Sequence, residues 1–187
     1  MRYYLIAAAT VLMISIGIII GFSTIYDFLN GGSPKDSYPV TGTLLIKLKD
    51  LPKEWGDATH VYVHYGAITI HRTDQGNESG WHQVITGDEW IDLRDVLTSP
   101  KAIGNGSVQS GDYNMIRIEI QEAMVTVNGV NETAFVQSGK LTIGIPKCGI
   151  KIKAWQTTCV VIDIMPKVVW KLGNYMITPT AKAYVEG

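Results

Sequence analysis

The sequence predicts an all-β fold, an antiparallel β-sandwich of the immunoglobulin/transthyretin-like kind, preceded by one N-terminal transmembrane helix. After Val40, apolar and polar residues alternate in many short segments, which is the period of a half-buried strand. Glycine and asparagine turn signals separate these segments at short intervals, as in antiparallel sandwiches. Before them, the run from Tyr3 to Phe22 carries no charged residue. With 46% hydrophobic residues among 187, disorder of the whole chain is excluded.

The charge balance excludes one class of partner. The chain has 16 Lys and Arg residues against 17 Asp and Glu, a net charge of −1. Binding to a phosphate backbone normally requires a strong basic excess. We therefore expect no nucleic-acid partner.

The first element is the apolar run, which predicts a membrane anchor or uncleaved signal over residues 1–23. About 20 apolar residues in a helix span the roughly 30 Å of a bilayer core. Arg2 precedes the run, so the chain that follows is expected outside the cell membrane. A cleaved signal remains an alternative, because Gly21 and Ser23 provide small residues at a cleavage spacing. A retained anchor makes a single-pass membrane protein, whereas cleavage makes the domain extracellular.

Residues 24–40 form the next element, a juxtamembrane segment and flexible linker. Asn30–Pro34 has the composition of a flexible linker. Before it lies an aromatic and apolar cluster, whose members are Thr24, Ile25, Tyr26, Phe28 and Leu29. One interpretation places the cluster at the lipid headgroups. The other makes it a donor strand that pairs with a sheet edge.

Residues 41–187 are predicted to form the extracytoplasmic β-sandwich domain, with about nine or ten strands. In Thr43–Lys49, for example, Leu44 and Ile46 share one face. Gly66 predicts a bulge between two such segments, and Asn128-Gly129 predicts a hairpin turn. The candidate segments are Thr43–Lys49, Thr59–Tyr65, Ala67–Arg72, Trp81–Ile85, Glu89–Leu93, Asn114–Gln121, Ala123–Val127, Thr133–Gln137, Leu141–Ile145, Lys151–Trp155, Cys159–Ile164 and Met176–Tyr184. Asp92–Leu97 is the one candidate for a helical turn.

An ordered set of short motifs runs through this domain. The motifs are Gly42–Asp50 with Pro52, Val61–Val63, Ile68–His71, Trp81, Gly111–Tyr113, Ile116–Ile118, Ser138–Leu141, Val161–Ile164, and Tyr175 before Pro179. From Gly42 to about Val185 the chain resembles the domain-of-unknown-function family 4382. The resemblance implies an extracytoplasmic β-sandwich of secreted or anchored archaeal and bacterial proteins, and it implies no known reaction. The cysteine pair is not a feature of that resemblance.

Cys148 and Cys159 are the only cysteines. Outside the cytoplasm an even number of cysteines predicts a disulfide, which here would contribute roughly 3 kcal/mol. Two buried thiols or a functional pair remain alternatives. The spacing of eleven does not fit a Cys-x-x-Cys redox motif.

Three glycosylation sequons begin at Asn77, Asn105 and Asn131. Each lies in a predicted exposed loop, where a glycan disturbs no packing. The three sites fit a surface protein of a glycosylating cell, while unmodified polar turns remain the alternative.

No catalytic residue, metal site or cofactor is predicted. His60 and His64 share a strand face but lie about 13 Å apart, too far for one metal ion. His71 and His82 flank a loop and are expected, with the other two, to be surface imidazoles; a metal shared between them is a weaker alternative. A calcium-binding loop at Asp74, Asn77 and Glu78 is another alternative, although the EF-hand pattern is absent. The five tryptophans are expected to be aromatic core, Trp155 packing on the disulfide.

The predicted function is therefore a non-catalytic, membrane-anchored cell-surface β-sandwich with structural or protein-interaction roles. Its partners would be the membrane, through the helix, and other proteins, either copies of itself or subunits of a membrane complex. Self-assembly into a filament by strand donation is one form of this hypothesis. An extracytoplasmic accessory subunit of a larger membrane complex is the alternative. An enzyme is disfavoured because no residue constellation indicates one.

Overall fold

A computed structural model describes residues 39–51, 54–76, 79–146 and 149–187. These residues form eleven β-strands and one short 3₁₀ helix, so the predicted all-β class is confirmed. The strands are β1 Thr41–Asp50, β2 Ala58–Arg72, β3 Trp81–Ile85, β4 Glu89–Asp92, β5 Lys101–Gln109, β6 Gly111–Val127, β7 Val130–Val136, β8 Lys140–Gly144, β9 Ile150–Ile152, β10 Thr157–Lys171 and β11 Asn174–Val185. The 3₁₀ helix is Leu93–Val96.

Several local predictions hold. The two segments on either side of Gly66 are one 15-residue strand, β2, whose register with β6 shifts between Tyr65 and Ile68. Asn128 and Gly129 form the two-residue turn between β6 and β7, with φ of 51° and 79°. The predicted helical turn is the 3₁₀ helix, and Asp92 caps it by accepting a hydrogen bond from the backbone N–H of Arg94.

The strands form one continuous sheet that curls around a single core. Its order is β3-β2-β6-β7-β11-β10-β1-β5, with β4 paired to β2 and both β8 and β9 paired to β6. Two pairings, β1 with β10 and β7 with β11, are parallel, whereas the sequence predicted an antiparallel arrangement throughout. Alternation of apolar and polar residues indicates which face of a strand is buried, but it does not indicate whether the strand runs parallel or antiparallel to its neighbours. Parallel partners need a long connection between them, and β1 and β10 lie far apart in the chain.

The two end strands of the sheet, β3 and β5, approach each other so closely that the sheet nearly closes. A Cβ atom at Gly106 would overlap the backbone carbonyl of Val84, and one at Gly104 would crowd the side chain of Ile85. Strand β5 was not predicted, because the glycosylation sequon at Asn105 was expected to lie in an exposed loop. The glycines instead permit close contact between backbones within a strand region.

The core is apolar and continuous across the sheet. The predicted inward face of β1 is confirmed, since Leu44 and Ile46 are fully buried. Val61 and Val63 of β2 lie in the same core as Ile162 of β10. Burial of apolar side chains from both halves of the sheet is the main source of stability.

The sheet has two distinct ends. The base is the end at which β1 begins, and Thr43 lies beside Thr157 there. The tip is the opposite end, with the turns Asn128-Gly129 and Leu172-Gly173. Strand β10 has 15 residues and connects base to tip over roughly 50 Å at about 3.3 Å per residue.

Within the described residues, no helix has the length and apolar character needed to span a membrane. The predicted membrane segment Tyr3–Phe22 and the cluster Thr24–Leu29 lie outside the described residues.

Candidate functional site

The tip contains an aromatic cleft of about 380 Å³. It is lined by Trp55, Gly56, Asp57, Val168, Trp170 and Tyr175. Trp170 and Tyr175 are opposite each other across the β10–β11 pair, with ring centroids 4.6 Å apart in an edge-to-face arrangement. Trp55 is 7% exposed and forms the floor, whereas Trp170 is 61% exposed.

Backbone hydrogen bonds hold the floor of the cleft against β10. The N–H of Val168 donates to the carbonyl of Glu54 at 2.9 Å, and the N–H of Ala58 donates to the carbonyl of Trp55 at 3.1 Å. Gly56 has a φ of +58°, which suits glycine at this turn. The segment before β2 is therefore hydrogen-bonded to β10, and its Trp55 lines the cleft together with Trp170.

The lining of the cleft is mainly aromatic. Its walls are aromatic, and the exposed carboxylate of Asp57 lies at its rim. Its volume is within the range of about 300–1,000 Å³ that small-molecule sites occupy. Such a site favours an apolar or aromatic group of a ligand or of a protein partner.

A buried carboxyl group lies close to the floor of the cleft. Asp50, the last residue of β1, is 1% exposed, and its oxygens have no well-aligned hydrogen-bond partner among the described residues. Burial, with a smaller contribution from the nearby Asp163, raises the pKa of Asp50 from 3.8 to about 6. The N–H groups of Leu51 and Trp55 approach the carboxyl and oppose the rise.

The predicted histidine face exists on β2. The Nδ1 atom of His60 lies 2.6 Å from a carboxylate oxygen of Asp92, and Nε2 of His64 lies 2.9 Å from one of Asp88. The ring of His64 stacks on Trp90, with centroids 4.9 Å apart. Each of the two imidazoles therefore contacts a different carboxylate, and both pairs lie on a half-exposed surface.

The prediction of a surface imidazole is wrong for His71. It is 3% exposed, because the loop before Trp81 packs over it and the Trp81 ring contacts it edge-to-face at 5.1 Å. His71 pairs in register with Trp81, and His82 pairs with Ile70. Neighbouring residues of a strand point to opposite faces, so His71 and His82 do not face each other.

Among the described residues, no group of three or more His, Cys, Asp or Glu side chains is placed to hold a metal ion. In the suggested calcium loop, Asn77 and Glu78 lie outside the described residues. The Asp74 carboxylate accepts a hydrogen bond from Nε of Arg72 at 2.8 Å.

The predicted disulfide stays a prediction, because Cys148 lies outside the described residues. Cys159 is on β10 near Lys47 and Glu186, and burial raises the pKa of its thiol. Gly149 and Cys159 line the same open depression of about 630 Å³ at the base.

The structure places two of the three sequons. Asn105 lies in β5 rather than in the predicted loop, although its side chain is exposed. Asn131 lies at the start of β7 rather than in a loop, and its Oδ1 accepts a hydrogen bond from the Thr126 hydroxyl. Asn77 lies outside the described residues. Because the side chains of Asn105 and Asn131 are exposed on their strands, a glycan has room at either position.

The cleft itself was not predicted from the sequence. The strand Cys159–Ile164 was expected to end before Pro166, but β10 continues to Lys171. Pro166 is tolerated because it lies beyond the end of β1, where its missing N–H breaks no pairing. The alternation of Val168 and Trp170, followed by Gly173-Asn174, was the available signal for this longer hairpin.

Comparisons with known proteins identify a family. No functionally curated protein matches the chain significantly. A crystal structure from Bacteroides eggerthii, described as a "putative cell adhesion protein", has 10% sequence identity and a TM-score of 0.36, and the match covers 78% of this chain. This chain spans only 56% of that protein, and a likeness at this score supports no conclusion. The family described as "Domain of unknown function (DUF4382)" matches residues 41–179. The chain therefore belongs to the DUF4382 family, as the ordered motifs predicted.

Proposed function

We propose that the chain is a non-catalytic, membrane-anchored cell-surface module with structural or protein-interaction roles. Residues 1–23 would be the anchor, and residues 41–187 would be an immunoglobulin/transthyretin-like sandwich on the outer side of the membrane. Partners would be copies of the chain itself or subunits of a membrane complex.

The aromatic cleft at the tip is the observation that supports this proposal most. The tip is the end of the sheet opposite to the start of β1, and Trp170 there is 61% exposed. Exposed aromatic side chains at one end of a rigid sheet suit recognition of a partner.

An edge that is unpaired over part of its length supports self-assembly by strand donation. Among the described residues, no strand forms a ladder with the outer edge of β11 beyond Ile177, where its pairing with β7 ends, although β8 lies beside β11. Pro179 interrupts this edge, so Thr180–Val185 is the stretch that can accept a strand. The donor would be Thr24–Leu29.

The proposal is tested by treating intact cells that express the full chain with an external protease. We expect the full chain in the membrane fraction of untreated cells, and we expect its domain to be degraded when the protease is added. Protection of the domain until the cells are lysed would overturn the proposal. Co-purification of the full-length chain with fixed membrane subunits would favour the accessory-subunit alternative.

A further inference from the structure

The aromatic cleft at the tip combines three aromatic rings with one carboxylate. The rings belong to Trp55, Trp170 and Tyr175, and the exposed carboxylate belongs to Asp57. Among the described residues that line the cleft, Asp57 alone carries a charge. The face of an aromatic ring is the negative side of its quadrupole, so rings and carboxylate attract a ligand charge of the same sign. The lining therefore favours a positively charged group.

The rings are arranged as a corner rather than as a flat platform. Trp170 and Tyr175 are directly paired across β10 and β11, so their side chains lie on the same face of the sheet. Their ring planes are inclined by 64°. An edge-to-face pair covers one face of one ring and leaves the remaining faces free of the partner ring. A sugar ring, which stacks on an open flat surface, suits this corner less well than a compact cation.

The third ring comes from a separate segment of the chain. Trp55 precedes β2, and the hydrogen bond from the N–H of Val168 to the carbonyl of Glu54 holds this segment against β10. Trp55 is 7% exposed, so its position is fixed by packing. Aromatic rings contributed by more than one segment are the means by which proteins enclose alkylated ammonium ions.

The lysines of β10 nearest to the cleft point away from it. Lys167 and Lys171 alternate with Val168 and Trp170 along the strand, and neighbouring residues of a strand point to opposite faces. The Nζ atom of Lys167 also lies 3.7 Å from a carboxylate oxygen of Glu54. Neither lysine is therefore placed to fill the cleft of its own chain.

Hydrogen-bonding capacity distinguishes among the possible cations. A primary ammonium group has three N–H donors and a guanidinium group has five, and each donor that is removed from water needs an acceptor. Ring faces provide weak acceptors at best. A fully alkylated ammonium group has no donor, and its methyl groups make apolar contacts with aromatic rings. The mainly aromatic lining thus fits an alkylated ammonium group best.

We propose that the cleft binds an alkylated ammonium group, with the rings of Trp55, Trp170 and Tyr175 against its methyl groups and Asp57 as its counter-ion. The inference deepens the partner-recognition role of the proposed function and rests on it. Small molecules such as choline carry this group, and so do methylated lysine side chains of proteins. A phosphocholine headgroup of a lipid is disfavoured, because its phosphate would lie near the carboxylate of Asp57.

Titration with a charged and a neutral ligand of the same shape tests the proposal. The charged probe is choline, and the neutral probe is dimethylbutanol, in which carbon replaces the quaternary nitrogen. Binding of each to the full chain in an uncharged polyoxyethylene detergent is measured by calorimetry. We expect choline to bind about tenfold more tightly or better, because cation–π attraction is added to the same apolar contact. Equal affinities, or no binding of choline, would overturn the proposal.

Three variants connect the binding to the cleft. Trp170→Ala should weaken choline binding about tenfold, because one ring of the corner is lost. Asp57→Asn should weaken binding of choline but not of dimethylbutanol, because only choline carries a charge. Trp155→Ala removes another exposed tryptophan that does not line the cleft, and it should leave both affinities unchanged. Both altered cleft residues are exposed, so the thermal unfolding midpoint should stay near that of the wild type. Unchanged choline affinity in Trp170→Ala or in Asp57→Asn would refute the assignment.

Further ligands identify the source of the ammonium group. Tighter binding of a peptide with one trimethyllysine than of choline would support the proposal and assign the group to a protein partner. Tighter binding of choline would support it and assign the group to a small molecule. An unmodified lysine peptide that binds as tightly as its trimethylated form, or phosphocholine that binds more tightly than choline, would contradict the proposal.

The outcome is distinguishable from failure of the proposed function. A domain that external protease degrades, in a chain that does not bind choline, would overturn the cation assignment alone. A domain protected from protease would overturn the cell-surface proposal, whatever the titrations show.

Discussion

The Asp50→Asn variant should change the pH dependence of stability. In the folded chain the pKa of Asp50 is about 6, compared with 3.8 for the ordinary group. The folded state therefore holds a proton between these two pH values that the unfolded state has released. The contribution of Asp50 to the free energy of unfolding falls as pH rises through this window and is level above it.

The magnitude follows from the two pKa values. Each pH unit between them is equivalent to about 1.36 kcal/mol, so the effect is at most about 3 kcal/mol. The asparagine side chain of the variant cannot titrate but has nearly the same shape as the carboxyl group it replaces. Relative to the wild type, the variant should therefore gain up to about 3 kcal/mol between pH 4 and pH 7.

Urea denaturation followed by tryptophan fluorescence at several pH values measures this difference. The comparison must be between two proteins, because ion pairs lower the pKa of Asp74 and of Glu186 and act in the opposite direction. Asp57→Asn, at an exposed carboxylate, is the control and should follow the wild-type curve. Parallel curves for wild type and Asp50→Asn would refute the reasoning.

Three further predictions concern the closed sheet and the exported state. Gly106→Ala should destabilise the fold by roughly 1–3 kcal/mol, because its Cβ overlaps the carbonyl of Val84, whereas Gly144→Ala has open space and should be neutral in thermal denaturation. Alkylation of denatured, unreduced protein should modify neither Cys148 nor Cys159, and Cys159→Ser should lower the free energy of unfolding by about 2–4 kcal/mol; two alkylated thiols would contradict the bridge. Peptides containing Asn77, Asn105 and Asn131 should carry glycan mass in a glycosylating host. Unmodified asparagines at all three positions would count against a surface protein of a glycosylating cell.

Much of the fold was predictable because burial follows local alternation. The inward face of β1 at Leu44 and Ile46 and the turn at Asn128-Gly129 depend on side chains near in sequence. Strand β5 was missed because glycine at positions 104 and 106 removes the side chains that show alternation. The parallel pairing of β1 with β10 is set by the path of the chain, which no local pattern records.

The candidate site was less predictable than the fold. The cleft joins Trp55, from the segment before β2, to Trp170, near the end of β10. Only tertiary structure brings these residues together. The five tryptophans were expected in the core, but Trp90, Trp155 and Trp170 are exposed. Sequence alone does not distinguish an aromatic core residue from an aromatic contact residue.

The parallel pairing of β1 and β10 also determines how the domain would carry mechanical load. A chain anchored before Thr41 and held at the tip is pulled along the strands, with β1 drawn towards the base and β10 towards the tip. The ladder joins eight residue pairs, from Thr43 with Thr157 to Asp50 with Ile164. Its hydrogen bonds lie across the pulling direction, so they resist in shear together rather than opening one after another. Under such a load the whole β1–β10 ladder would resist separation of the two ends.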